Sequence, residues 1–354
     1  MLIAVSQPLI KKIWDKKILY SGPGTVLLCA LAFILFSSLF FLCIGHEPLG
    51  LLWAMLKGAF GDGYSISEAM VKTAPILLCA LATAIPARLG LISVGAEGQL
   101  YIGALFGSGL VLQMLGTTKM VMLPTMLLAA AVGGALWALI PALLKAKLRV
   151  NETISTLLLN YVASLCVDFL VYGPWKDPNN LGWPATVYFP DAAKLPTYFD
   201  TRMHFGLLIG IIATIIFHFL VTKTRWGISL RILKSNQHVA EGAGLRYIPN
   251  VLLVMAIGGM LAGIAGIAET SVIQGRLQSG ISNGLGFSGF LVAWLAGKSL
   301  LRLIPLSIML GGLLASGDSL QLMADLPSSI ALVLQGLLFA STLLVMGWVG
   351  KLKT

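Results

Sequence analysis

Glu97 and Gln99 stand two places apart in LISVGAEGQLYIGALFG (91–107), a stretch otherwise built almost wholly of apolar residues and glycine. A carboxylate in hydrocarbon costs about 3 kcal/mol or more, so it must face the interior of a helix bundle or a water-filled path. Two chemistries fit. Glu97, protonated or satisfied by nearby amides, can act as packing glue, or with Gln99 it can shape the polar lining of a solute path. Gly95, Gly98, Gly103 and Gly107 admit close approach of a helix or of a solute in either case.

Other motifs carry less chemistry. AGKS (296–299) ends like a phosphate-binding loop, but G-x-x-x-x-G-K-S requires glycine where this chain has Val292, and an apolar helix rather than a strand precedes it. GISNG (280–284) fits G-x-S-x-G, and GFSG (286–289) resembles the serine motif of intramembrane proteases. A nucleophilic serine needs a base within hydrogen-bond reach. Ser288 is expected near the outer end of its span and His218 near the inner end of its own, roughly 15 Å apart in depth at the helical rise. His204, at the outer boundary, stays open as a partner. Cys29, Cys43, Cys79 and Cys166 fall in expected helices with no C-x-x-C spacing, which implies neither a disulfide nor a metal site.

The elements that must position Glu97 are membrane helices. Of 354 residues 57% are hydrophobic and 11% charged, far below the charge of a soluble domain. Apolar runs near the roughly 20 residues that cross a bilayer predict an all-α polytopic protein of about ten spans. We place them at 24–45, 69–87, 92–114, 120–144, 154–173, 204–222, 249–270, 284–297, 303–317 and 328–348. Spans 2–5 and 7–10 start on opposite sides and each set holds a Gly-rich segment (93–107 and 279–297), which points to an inverted repeat around a midplane site.

Lys11, Lys12, Lys16 and Lys17 precede a run too long for a signal peptide, so 1–23 reads as a cytoplasmic segment before an uncleaved anchor. With both termini cytoplasmic, only Lys57, Lys72, Lys119, Lys176, Lys194, Arg202 and Arg276 lie outside, leaving 17 of the 24 basic residues inside. The net charge of +10 then calls for anionic lipid and not for nucleic acid. Residues 173–203, with five prolines, read as an ordered external loop that is either a connector or a docking surface. Residues 223–248 are basic and amphipathic, with Ile228, Leu230, Ile232 and Leu233, and suit a short helix on lipid or on a soluble partner.

Several segments taken together resemble one family. ARLGLISVGAEGQLYIGALFG (87–107) is similar to the R-x-G-x-x-N-I-G-x-E-G-Q segment of bacterial ABC importer permeases of the branched-chain amino acid, ribose and nucleoside group. NETISTLLLNYVA (151–163) and VYGPWKDP (171–178) resemble stretches of the nucleoside-type permeases that work with a Bmp-like lipoprotein. TRWGISLRILKSNQHVAEGAGL (224–245) matches the family's T-x-x-G-x-x-L-R-A-x-G-x-N-x-x-A-A-x-x-x-G-I at Gly227, Arg231, Asn236, Ala240 and Gly244. The likeness covers about 70–345. It departs at Ser93 and Val94, at Lys234-Ser235, and in LAGKSLLRLIP (295–305).

The resemblance implies a single permease domain over 1–354, in the bacterial inner membrane, that is not itself an enzyme. Its expected partners are a second homologous permease, cytoplasmic ATP-binding subunits that hold ATP and Mg, an external substrate-binding lipoprotein or periplasmic protein, and the bilayer. The chain itself would bind no cofactor and no metal. Segment 225–245 would be the coupling helix, with Gly227, Arg231, Asn236, Ala240 and Gly244 serving ATPase coupling. A nucleoside needs aromatic rings to stack on and amides to bond, which Trp137, Asn160, Asn283 and Phe287 could offer beside Glu97 and Gln99. A simple sugar such as ribose is the alternative solute, and an ion-coupled carrier or channel the rival class.

Overall fold

The computed structural model describes residues 22–180, 182–198 and 201–351. The lysines at 11, 12, 16, 17 and 353 and loop positions 181, 199 and 200 lie outside the described residues. Among the described residues thirteen α-helices run in order: α1 (Gly22–Cys43), α2 (Pro48–Phe60), α3 (Gly63–Ala84), α4 (Ala96–Gln113), α5 (Lys119–Leu148), α6 (Glu152–Tyr172), α7 (Phe205–Lys223), α8 (Arg225–Ser235), α9 (Gln237–Gly242), α10 (Tyr247–Glu269), α11 (Leu285–Ala296), α12 (Leu303–Ala324) and α13 (Ile330–Lys351). No strand occurs among the described residues beyond two isolated bridges. Eight helices, α1, α3, α5, α6, α7, α10, α12 and α13, are long and apolar enough to cross a membrane, whereas α2 and α11 are apolar but shorter. The chain is an all-α polytopic membrane protein.

Each of the ten expected spans has a helix, but limits differ, α3 starting at Gly63 rather than 69 and α5 ending at Leu148 rather than 144. Helix α2 is additional: thirteen residues broken in polarity by Lys57 are too short for the spanning criterion. The span expected from 92 begins only at Ala96, because residues 91–95 are not helical and the amides of Ile92 and Val94 bond to α6 side chains instead. The span expected to stop at 317 continues to Ala324, since Asp318 faces outward and interrupts the apolar run without breaking the helix.

Two compact units divide the chain, residues 1–65 with 313–354, and residues 66–312. In the first, Phe41, Leu51, Met55, Leu320, Ile330 and Leu334 form one buried cluster. In the second, α4, α5 and α10 pack backbone to backbone. A Cβ on Gly103 would lie 2.1 Å from the Cα of Gly263, and one on Gly134 would lie 2.1 Å from the carbonyl oxygen of Gly259. In lipid, where hydrophobic burial between helices gains little, such contact through small residues is what holds a bundle together.

Described residues of the segment from Gly173 are tied to neighbouring elements. The amides of Thr186 and Phe189 donate to the carbonyls of Leu277 (2.9 Å) and Gly275 (2.8 Å), so this loop is laced to the one before α11. Phe189, Ala193 and Leu195 are buried against α4, α5 and α10, and the Arg276 guanidinium stacks 4.6 Å above the Tyr188 ring.

Candidate translocation and coupling site

Helix α6 starts at Asn151, whose side chain accepts from the Thr153 amide at 2.9 Å. Its residues 152, 156 and 160 recur every four positions and therefore lie on one face. That face carries a polar ladder. Glu152 Oε1 accepts from the Ile92 amide (3.3 Å), Thr156 Oγ1 from the Val94 amide (3.1 Å), and Asn160 Oδ1 from the Gly98 amide (2.8 Å). The Asn160 amide nitrogen also donates to the Val94 carbonyl at 2.9 Å. The ladder thus serves the backbone of 92–98 as a neighbouring strand would, meeting groups that hydrocarbon leaves unmet. Lys145 holds Glu152 from the side at 2.7 Å.

Beyond that segment, Glu97 occupies the first turn of α4 and is 6% exposed. Its Oε2 accepts from the Gly286 amide at 2.7 Å, and the Ser282 hydroxyl and the amides of Gly284 and Phe287 also address the carboxyl group. These groups open α11, where Ser282 and Gly284 accept from the amides of Leu285 and Ser288, and Glu97 supplies the acceptor for Gly286 between them. Gly286 is required there, because a Cβ would lie 2.4 Å from the Glu97 backbone nitrogen.

The six residues proposed for a solute path therefore fall into different places. Glu97, Gln99 and Asn160 are buried at 6%, 3% and 4% exposure, and Glu97 and Asn160 are engaged with backbone. Trp137 is half-buried on α5, its indole N–H without a partner. Asn283, in left-handed backbone at φ 46°, and Phe287 lie exposed on α11 and the turn before it. Sequence reasoning missed Glu152 and Thr156 as parts of the ladder and Trp294, half exposed on α11, as part of its outer face. The four-residue spacing in NETISTLLLN was the signal for the ladder.

At the other candidate region the single helix expected over 225–245 is two, α8 and α9, because Asn236 ends one and starts the next. Its side chain accepts from the amides of His238 (3.0 Å) and Val239 (3.2 Å). The motif residues shape this helical pair. A Cβ on Gly227 would strike the Val221 carbonyl at 1.9 Å, Ala240 is buried, and Gly244 turns the chain at φ 80°. Arg231 is exposed and donates weakly to the carbonyls of Gly227 (3.3 Å) and Val221 (3.5 Å). The outward apolar residues are Ile228 and Val239.

Near the far end of α7, His204 caps the helix, its Nδ1 accepting from the Gly206 amide at 3.1 Å. Burial without a charged partner pushes its pKa down to about 4. Arg202 beside it makes a two-pronged pair with Glu68, one arm at 3.0 Å.

A model of the family described as branched-chain amino acid transport system / permease component matches residues 65–343. The chain belongs to this permease family. It is 31% identical over 325 residues to the glucose ABC transporter permease TsgB13 of Haloferax volcanii, covering 89% of this chain and 85% of that protein. It is 29% identical over 324 residues to the guanosine ABC transporter permease NupP of Bacillus subtilis, with 89% and 92% covered. It is 27% identical over 293 residues to the nucleoside ABC transporter permease NupB of Lactococcus lactis subsp. cremoris, with 80% and 79% covered. Both Gly-rich segments of this permease, with the Glu97–Gly286 contact that joins them, lie inside the matched range.

Proposed function

We propose that the chain is one permease of an ABC importer and forms half of the path for a nucleoside. The observation that carries the solute class is the outer face of α11, where Phe287, Phe290 and Trp294 follow one another at helical spacing with Asn283 at the tip. Phe287 is 36% and Trp294 49% exposed, and the Phe290 and Trp294 rings meet at 5.9 Å. Aromatic faces suit a planar base, and an amide suits its polar edge. The guanosine and nucleoside relatives support the same class. A simple sugar is the second reading, favoured by the glucose relative.

On this reading ATP and Mg reside on partner ATPase subunits, an external binding protein delivers the solute, and a second permease completes the path. No nucleic acid takes part. Closure of the ATPases would press on α8 and α9. The Gly227 contact with Val221 would pass that displacement to α7, and the rigid bundle would convert it into alternating exposure of the path. The test is uptake by cells that carry the whole transporter, with radiolabelled guanosine and glucose in competition. Saturable guanosine uptake that excess glucose leaves unchanged is expected, and should fall in Phe287→Ala. Glucose uptake indifferent to guanosine would overturn the nucleoside reading.

A further inference from the structure

A cavity of about 720 Å³ lies between the second half of α8, the end of α7, the turn after α3 and the end of α11. Its size falls in the range of small-molecule sites, about 300–1,000 Å³. Among the described residues four cations line it, Arg88, Arg231, Lys234 and Lys298, and no acidic residue does. None of the four is in an ion pair with a described residue. Ordinary positive-inside charge would be spread over loop tips in water. Here two of the cations are held by main-chain carbonyls of the cavity lining: Arg88 Nη1 donates to that of Lys298 (2.7 Å) and Lys234 Nζ to that of Ala87 (3.3 Å).

A second observation points to a missing partner. Arg88 Nε is buried and has no hydrogen-bond partner among the described residues. A buried donor on a charged group is costly unless an acceptor arrives. The lining also includes apolar groups, Val221 and Trp294 among them.

We propose that this cavity binds a phosphate ester, its oxygens among the four cations and its apolar body against Trp294. Two guanidinium forks and two ammonium groups match a group with several charged oxygens better than a single carboxylate. Such a ligand has two natural sources, a soluble nucleotide-like monoester or an anionic lipid headgroup. The site does not rest on the solute reading above, because binding is measured on this chain without transport.

The experiment uses the full chain. In phosphatidylcholine nanodiscs it is titrated calorimetrically with guanosine 5′-monophosphate, and after extraction from membranes native mass spectrometry measures retention of phosphatidylglycerol against phosphatidylcholine. The comparison is with a Lys234→Gln/Lys298→Gln pair and a charge-preserving Lys234→Arg/Lys298→Arg pair. Saturable nucleotide binding identifies a soluble ligand, and selective phosphatidylglycerol retention identifies the bilayer. In either case a weakening of about tenfold or more in the Gln pair, restored in the Arg pair, is expected. If the Gln pair no longer melts cooperatively, displacement of the bound ligand from the unaltered chain by inorganic pyrophosphate replaces it. The proposal is overturned if the unaltered chain shows neither form of binding, or if a binding signal survives both the Gln pair and pyrophosphate.

Discussion

The carboxylate of Glu97 accepts the Gly286 amide at 2.7 Å across 189 positions of chain, a bond that ties the first Gly-rich segment to the second. Removing the acceptor strands the Gly286 amide in a buried site. Glu97→Ala should therefore lower stability by about 1.5–3 kcal/mol, the range for hydrogen bonds to charged groups. Glu97→Gln, which keeps an acceptor oxygen, should lose less. Thermal unfolding in detergent checks both, and an Ala variant melting with the parent would remove this role.

Gly103 has no room for a methyl group, because a Cβ there would sit 2.1 Å from the Gly263 Cα. Gly103→Ala must push α4 away from α10 at an expected cost of about 1–3 kcal/mol. Gly336→Ala, where nothing lies within 4 Å, should be neutral within error. Paired melting curves decide, and equal curves would contradict the backbone contact.

Asn160 bonds both Val94 and Gly98. Asn160→Ala leaves a donor and an acceptor unmet, each worth about 1–3 kcal/mol. Asn160→Asp keeps only the acceptor and should fall between. Hydrogen exchange of 92–98 reads the effect directly: fast exchange confined to that segment is expected, and unchanged protection in the Ala variant would rule the ladder out.

The cap formed by Asn236 separates α8 from α9. Asn236→Ala should cost about 1 kcal/mol and blur that break, whereas Asn236→Asp should restore it. In the assembled transporter we expect the Ala variant to insert normally but to hydrolyse ATP with reduced solute uptake. Unimpaired uptake per ATP would show that the helical pair does not transmit motion.

His204 gives stability a pH dependence. Its folded pKa of about 4 lies below the ordinary histidine value of about 6.5, so the unfolded chain binds the proton more readily between the two. The contribution is complete above about pH 6.5 and is lost as pH falls toward 4, on the order of 3 kcal/mol at most. Protonation also removes the acceptor used by Gly206. Melting temperature against pH should slope through this window and flatten in His204→Asn; an equal slope in both would assign it elsewhere.

What the sequence made legible was whatever depended on long runs or residue type. Spans such as α5 and α10 announce themselves by length and apolarity, and Glu97 by being a carboxylate among glycines. The partner of Glu97 was hidden because Gly286 contributes only a main-chain amide, which every residue possesses. Asn160 looked like a solute ligand for a similar reason: its bonds go to backbone distant in sequence. Helix α2 escaped because thirteen residues with a lysine fall under any spanning threshold. The coupling motif was visible in residue identity, but its residues define where helices stop and turn, and the surface that a partner would meet belongs to Ile228 and Val239.

The ladder on α6 differs from true strand pairing in what it permits. Two strands offer each other the same main-chain groups at every second residue, so they can slip by two with little loss. Glu152, Thr156 and Asn160 offer a carboxylate, a hydroxyl and an amide, and only the amide, with its donor and acceptor on separate atoms, accepts from Gly98 while donating to Val94. A slide of one turn would leave Asn160 misplaced and set a single hydroxyl, of Thr156 or Ser164, where its two bonds were. Residues 92–98 therefore have one address on this helix, written in side chains, and 92–98 with 151–160 should be exchangeable between related chains only as a matched set.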